Sequence, residues 1–193
     1  VSKDQLQDKI APQLVMDVLR LIGYLISKTV WFIKYHGREN IPDRSAGSFL
    51  IVANHQTYID PVWVCLPMRR RLRFMAFDRA FEWRFIGPFI RYLGAFPVSL
   101  DTGGTLKAMK EALRALRGGA VLTIFPEGAR EFADGKFFPF KHGAVRIAIQ
   151  ANVPILPVTI IGGNRIWPQK QKYPRLFRAD RDRLPPDSSG QRT

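Results

Sequence analysis

Two apolar runs rich in β-forming residues, Phe49-Leu50-Ile51-Val52-Ala53 and Ala120-Val121-Leu122-Thr123-Ile124-Phe125, each give way to a polar turn. Short runs of this kind, bounded by turn residues, read as buried strands. The chain keeps alternating around them. Residues 72–76, 95–98 and 155–161 read as further strands. Residues 61–67, 79–93 (broken at Gly87-Pro88), 105–117 and 143–151 read as helices, the third carrying Leu106, Met109, Leu113 and Leu116 on one face and stopped by Gly118-Gly119. Strands alternating with helices predict an α/β fold with a mixed, partly parallel central sheet flanked by helices. In open sheets of this class, ligands bind beyond the carboxyl ends of the strands. The two polar turns are therefore where chemistry is expected.

The 193 residues suffice for one domain with a sizeable core, and a hydrophobic content of 46% excludes a disordered chain. Thirty Lys and Arg against sixteen Asp and Glu leave a net charge of +14. That excess calls for an anionic partner: nucleic acid, an anionic membrane surface or a phosphorylated small molecule. Nucleic acid is not expected, because the basic residues do not interleave with aromatics in any RNA-binding pattern. The single Cys65 excludes an intrachain disulfide. It lies in the apolar stretch 62–66 with no cation beside it in sequence, the setting of a buried, inert thiol.

Residues 14–33 are nearly all apolar. Asp17, Arg20, Ser27 and Lys28 interrupt them and fall within roughly a third of a helix circumference. A spanning helix would bury three charged groups in hydrocarbon at about 2.5–3.5 kcal/mol each. The narrow polar stripe fits equally a helix lying in a membrane interface, with Trp31, Phe32 and Ile33 embedded, or a helix packed on the protein's own core.

In the first turn, Asn54-His55-Gln56-Thr57-Tyr58-Ile59-Asp60, the chain can curl so that the Asp60 carboxylate reaches the His55 ring. Such a pair fixes the imidazole tautomer and supports the imidazolium formed when the ring takes a proton. Asp60-Pro61 also reads as N-cap and first residue of the following helix, a purely structural use. In the second turn, Phe125-Pro126-Glu127-Gly128-Ala129-Arg130, Gly128 lets backbone approach a ligand, Arg130 offers a planar fork for phosphate and Glu127 can accept from a hydroxyl. The plain alternative is a surface ion pair worth at most about 1 kcal/mol.

Together, Asn-His-x4-Asp and the later Phe-Pro-Glu-Gly-x-Arg resemble the glycerolipid acyltransferase family, in particular bacterial 1-acylglycerol-3-phosphate acyltransferases. The resemblance covers about residues 36–168 and includes Phe140-Lys141-His142-Gly143-Ala144 and Val153-Pro154-Ile155-Leu156-Pro157-Val158. It implies an acyltransferase moving a fatty acyl group from acyl-CoA or acyl-carrier protein to the free hydroxyl of 1-acylglycerol-3-phosphate. His55 would be the general base and Asp60 its orienting partner, with Asn54, Glu127, Gly128, Arg130 and Lys141 lining the acceptor site. It also implies an N-terminal membrane-associating segment (residues 1–35), a catalytic domain (36–168) and a basic polar tail (169–193). The expected setting is the cytoplasmic face of the cell membrane, held peripherally. No cofactor and no metal are expected, since no ligand-spaced cluster is present.

Two departures stand out. Leu100 occupies the position where the family commonly has a phosphate-contacting Arg, and Ala129 replaces the usual Thr or Ser. The first keeps other acceptors open, such as a lyso-ornithine lipid or lysophosphatidylglycerol, and a non-catalytic lipid-binding module is the reading from a different class. The basic run Arg69-Arg70-Arg71-Leu72-Arg73 is expected either to hold anionic groups near the site or to be a solvated turn. Phe132, Phe137, Phe138 and Phe140 are expected either in the core or at the mouth of an acyl-chain route.

Overall fold

A computed structural model of the chain describes residues 10–70, 72–99, 104–130 and 137–176. The element order is α1 (Gln13–Val30), β1 (Leu50–Ala53), α2 (Asp60–Cys65), β2 (Leu72–Phe77), α3 (Ile86–Tyr92), β3 (Ala95–Val98), α4 (Gly104–Arg117), β4 (Val121–Ile124), α5 (Gly143–Ala151), β5 (Ile155–Val158) and α6 (Gly163–Ile166). The strands form one sheet in the order β3-β2-β4-β1-β5. All four pairings are parallel, which corrects the expectation of a mixed sheet. The reason is visible in the chain: a helix separates every consecutive pair of strands, so each link is a crossover rather than a hairpin. Pro97 and Pro157 fall on the two edge strands, where a missing amide donor is tolerated.

The core lies on both faces of the sheet. Ile51, Ala53, Leu72, Phe74 and Val121 point to one side and meet Met16, Val64, Cys65 and Met68 from α1, α2 and the segment after it. Leu50, Leu122, Ile124 and Phe96 point to the other and meet Ala112 and Leu116 of α4 and Ala144, Ile147 and Ala148 of α5. Central β4 is buried throughout, as a strand with neighbours on both edges and helices on both faces must be.

Three local readings shift. Gly87-Pro88 does not break a helix; it lies in the first turn of α3, where proline is accommodated. A Cβ on Gly87 would stand 2.1 Å from the Phe81 carbonyl oxygen, so glycine lets α3 pack on the short 3₁₀ turn Asp78–Phe81. The basic run does not reach the carboxyl ends of the strands. It leads into the amino end of β2, whose first residues are Leu72 and Arg73, while Arg71 lies outside the described residues; Arg70 clips loop carbonyls, donating to Ala46 at 2.6 Å, Gly47 at 2.8 Å and Gly119 at 3.2 Å. Arg73 is drawn into the sheet with its guanidinium over Phe96, and burial lowers its pKa. Cys65 is buried and free, and burial pushes its thiol up despite a neighbouring Arg20 that the linear sequence hides.

Helix α1 is turned the opposite way from an ordinary surface helix. Met16, Arg20 and Ser27 face inward, and Gly23 sits against Leu66 and Val62 beside α2. Arg20 pairs with Asp17 at 2.9 Å and donates to the Arg70 carbonyl. Outward face Leu14, Val18, Leu21, Ile22, Leu25 and Ile26, all exposed. Among the described residues, no helix is long and apolar enough to cross a membrane. Trp31 is not free to embed: it packs edge-on against Trp63 and its indole donates to the Arg175 carbonyl at 2.7 Å. Phe32 is the exposed aromatic there. The chain thus stays packed to Arg175; residues 177–193, Leu100 and Phe132 lie outside the described residues.

Candidate active site

β1 and β4 are neighbours, with Val52 level with Ile124, yet their following segments leave on opposite faces. One leads to α2 over the first face, the other toward α5 over the second. Such a divergence marks the place where open α/β sheets bind ligands. His55 and Glu127 lie equally far past the paired residues, so the parallel register alone brings the two polar turns together.

The first turn is built around Asp60, which is fully buried. Its Oδ2 accepts from His55 Nδ1 at 2.9 Å, from the Gln56 amide at 2.5 Å and from the Thr57 amide at 2.7 Å. Its Oδ1 accepts from the Thr57 hydroxyl at 2.7 Å. Every partner is a donor, the pattern that suits an ionised carboxylate. The helix start differs by one residue from the sequence reading: Ile59 is the N-cap and Asp60 the first helical residue, so its carboxylate reaches back into the turn instead of capping. With Nδ1 committed to Asp60, the imidazole must present Nε2 outward, and Nε2 has no hydrogen-bond partner among the described residues. Phe125 stacks on the ring at 4.2 Å between centroids and holds its plane. The His55 side chain keeps 20% of its surface exposed.

The structure separates the remaining candidates into two groups. Asn54 and Glu127 are buried and spent on backbone. Asn54 makes a reciprocal pair with Ile160, donating to its carbonyl at 2.9 Å and accepting from its amide at 2.7 Å, which ties the end of β1 to the segment after β5. Glu127 accepts from the His55 amide at 2.7 Å and the Phe138 amide at 2.9 Å. It bridges the two turns rather than standing open to a hydroxyl, and it makes no ion pair with Arg130.

Gly128 and Lys141 are exposed, and Arg130 is half-buried against Tyr58. Gly128 has φ +70°, and a Cβ there would stand 2.7 Å from Lys141 Nζ, so the ammonium lies directly over the glycine. The Lys141 amide donates to the Pro126 carbonyl at 2.9 Å, fixing its backbone. Gly128→Ala should therefore strain the turn and displace the ammonium, raising KM for a phosphate-bearing acceptor more than it lowers kcat; an unchanged KM would detach Lys141 from acceptor binding.

Several contributors escape linear reading. Thr57 is fully buried and donates to Asp60; Gln56 accepts from the Gly163 amide at 2.7 Å; Phe125 stacks on the histidine; Tyr58 meets Arg130. Only Thr57 left a signal, a hydroxyl three residues before a carboxylate. Of the phenylalanines, Phe137 and Phe140 are exposed rather than core residues.

A family model described as acyltransferase matches residues 32–161. The chain is 33% identical over 144 residues to a 1-acyl-sn-glycerol-3-phosphate acyltransferase of Streptococcus pneumoniae, covering 72% of this chain and 52% of that one. It is 32% identical over 133 residues to a chloroplastic 1-acyl-sn-glycerol-3-phosphate acyltransferase of Brassica napus, covering 68% and 38%. The crystal structure of the 1-acyl-sn-glycerophosphate acyltransferase of Thermotoga maritima superposes with a TM-score of 0.65 at 28% identity, over 89% of this chain and 66% of that one. The chain thus spans less than two thirds of each of these three proteins.

Proposed function

The chain belongs to the acyltransferase family, and from that premise we propose that it moves a fatty acyl group from a thioester to the free hydroxyl of 1-acylglycerol-3-phosphate, forming phosphatidic acid. The observation that carries this reading is the fully buried Asp60 fixing His55 Nδ1, with Glu127 tying that turn to the one that carries Arg130 and holds the exposed Lys141. A base and an anion clamp in one crevice suit an alcohol that also bears a phosphate.

In this mechanism His55 Nε2 takes the hydroxyl proton as the oxygen attacks the thioester carbonyl. The tetrahedral intermediate collapses, the carbon–sulfur bond breaks, and the imidazolium returns the proton to the thiolate. Asp60 holds the tautomer and stabilises the imidazolium without taking the proton. A thioester is already activated, so no nucleophilic Ser or Cys is required, and the reading calls for no metal or cofactor. Acyl-CoA and acyl-carrier protein both serve as candidate donors.

The test is acceptor-dependent release of free thiol from an acyl thioester, with lysophosphatidic acid, lysophosphatidylglycerol and a lyso-ornithine lipid compared side by side. Fastest release with lysophosphatidic acid supports the assignment. Release with none of them points to a lipid-binding module.

Asp60→Asn should lower kcat and also lower the melting temperature. Asparagine can keep its oxygen at the Oδ2 position and turn its amide to the Thr57 hydroxyl, but it loses the charge that answers four donors. A kcat equal to wild type would remove Asp60 from the mechanism.

The proposed setting is the cytoplasmic face of the cell membrane, held peripherally, and the inverted polarity of α1 supports the docking. Its apolar stripe faces away from the protein while Lys28 and the exposed Lys34 stand at its end. The triple change Leu14, Leu21 and Leu25→Ser leaves the inward face intact, so the variant should fold yet fail to float with anionic vesicles. Flotation equal to wild type would count against this surface.

A further inference from the structure

Arg130 is held by an aromatic group that no role yet described uses. Its guanidinium carbon lies 3.6 Å from the Tyr58 ring centroid, and Nη2 donates to the Tyr58 hydroxyl at 2.8 Å. Nη1 is buried and has no hydrogen-bond partner among the described residues. Tyr58 is in turn wedged edge-on between Trp167 at 5.3 Å and Trp83 at 6.4 Å. Segments beyond the carboxyl ends of β2, β4 and β5 thus converge on a ring that follows β1. The ring's backbone is anchored as well, since its neighbour Thr57 is fully buried and bonded to Asp60.

We infer that Tyr58 is a positioning residue for the acceptor's phosphate, holding Arg130 flat on its ring so that the guanidinium, whose Nη1 is buried and unpaired, is oriented before the anion arrives. The inference rests on Arg130 being the phosphate contact in the proposed reaction. A free arginine side chain loses much rotamer freedom when it binds an anion, and a guanidinium already stacked and bonded has lost it beforehand. The placement has a second consequence. Tyr58 sits between His55 and Asp60 on one rigid turn, so the base and the phosphate clamp are held in register by the same segment. That fixes how far the reacting hydroxyl stands from the phosphate, a dimension by which a glycerol phosphate differs from bulkier headgroups.

The test is calorimetric binding of glycerol 3-phosphate to the full chain, alongside the melting temperature of each variant. Tyr58→Phe removes the hydrogen bond and keeps the stacked ring, so binding should weaken about 2–10-fold. Tyr58→Leu removes both and should weaken it by roughly a further 2–30-fold. Tyr58 is half exposed, so neither melting temperature should move by more than a few degrees. The deciding comparison is a cycle with Arg130→Lys, which cannot present a planar fork. In that background Tyr58→Phe should cost nothing further. An equal loss in both backgrounds, or wild-type binding by Tyr58→Phe and Tyr58→Leu, overturns the inference, as does failure of the wild type to bind glycerol 3-phosphate. Intact binding with the expected cycle but no acyl transfer would reject the proposed reaction and leave this inference standing.

Discussion

His55→Ala is expected to lower acyl transfer by about 10²–10⁴-fold, the usual contribution of a general base. The loss should fall on kcat, with KM for the acceptor little changed, because Arg130 belongs to the other turn and Lys141 is held over it. The side chain is one fifth exposed and its bond to Asp60 is the only side-chain hydrogen bond it makes among the described residues, so folding should survive. Asp60 would keep its two amide donors and the Thr57 hydroxyl. The measurement is thiol release at saturating donor and acceptor, with the melting curve as control. Turnover within a few-fold of wild type would mean that another group takes the hydroxyl proton.

Glu127→Ala should be at least as damaging, by a different route. It strips the acceptor from two backbone amides, those of His55 and Phe138, in a residue only 3% exposed. The part-buried His55 amide left without its acceptor should cost about 1–3 kcal/mol. At roughly 2–4 °C per kcal/mol for a chain of this size, the melting temperature should drop by roughly 2–12 °C. Activity should vanish with it, since the amide that Glu127 holds belongs to the residue proposed as base. Glu127→Gln should destabilise too, because its amide nitrogen would oppose one of the two donors. If Glu127 instead received a hydrogen bond from the acceptor hydroxyl, Glu127→Gln would melt like wild type and raise KM alone. Melting temperature and KM therefore separate the two roles.

The sequence was most informative where period and punctuation coincide. Strands 95–98 and 121–124 and the helices around 105–117 and 143–151 emerge almost residue for residue, because apolar spacing, Gly118-Gly119 and Pro97 each carry local physical meaning. The direction of the strands was equally implicit, since a helix lies between every pair, although the sheet was expected to be mixed. Helix α1 was legible as amphipathic but not in its orientation. Its polar stripe would face water on an isolated helix; Met16 in the core, Gly23 against Leu66 and the Arg20 bond to the Arg70 carbonyl, fifty residues away in sequence, turn it inward.

The site divides along the same line. His55, Asp60, Gly128, Arg130 and Lys141 could be named from their own chemistry and from the resemblance their spacing carries. What Asn54 and Glu127 do could not, because a carboxylate or an amide in a turn looks the same whether it faces a ligand or a backbone donor. Burial decides that, and burial is a property of everything packed around the residue. Tyr58 is the converse case, an ordinary turn aromatic until Arg130, Trp83 and Trp167 arrive from other strands.

The amino-acid order by itself determined the alternation of elements, the excess of positive charge and the chemical inventory of the two turns, since these depend on neighbours along the chain. The tertiary structure alone decided that β4 lies beside β1, that Glu127 ties the turns together and that α1 shows its apolar side outward. Those outcomes depend on which distant groups compete for each buried donor, acceptor and apolar surface, and that competition is resolved only when the whole chain packs.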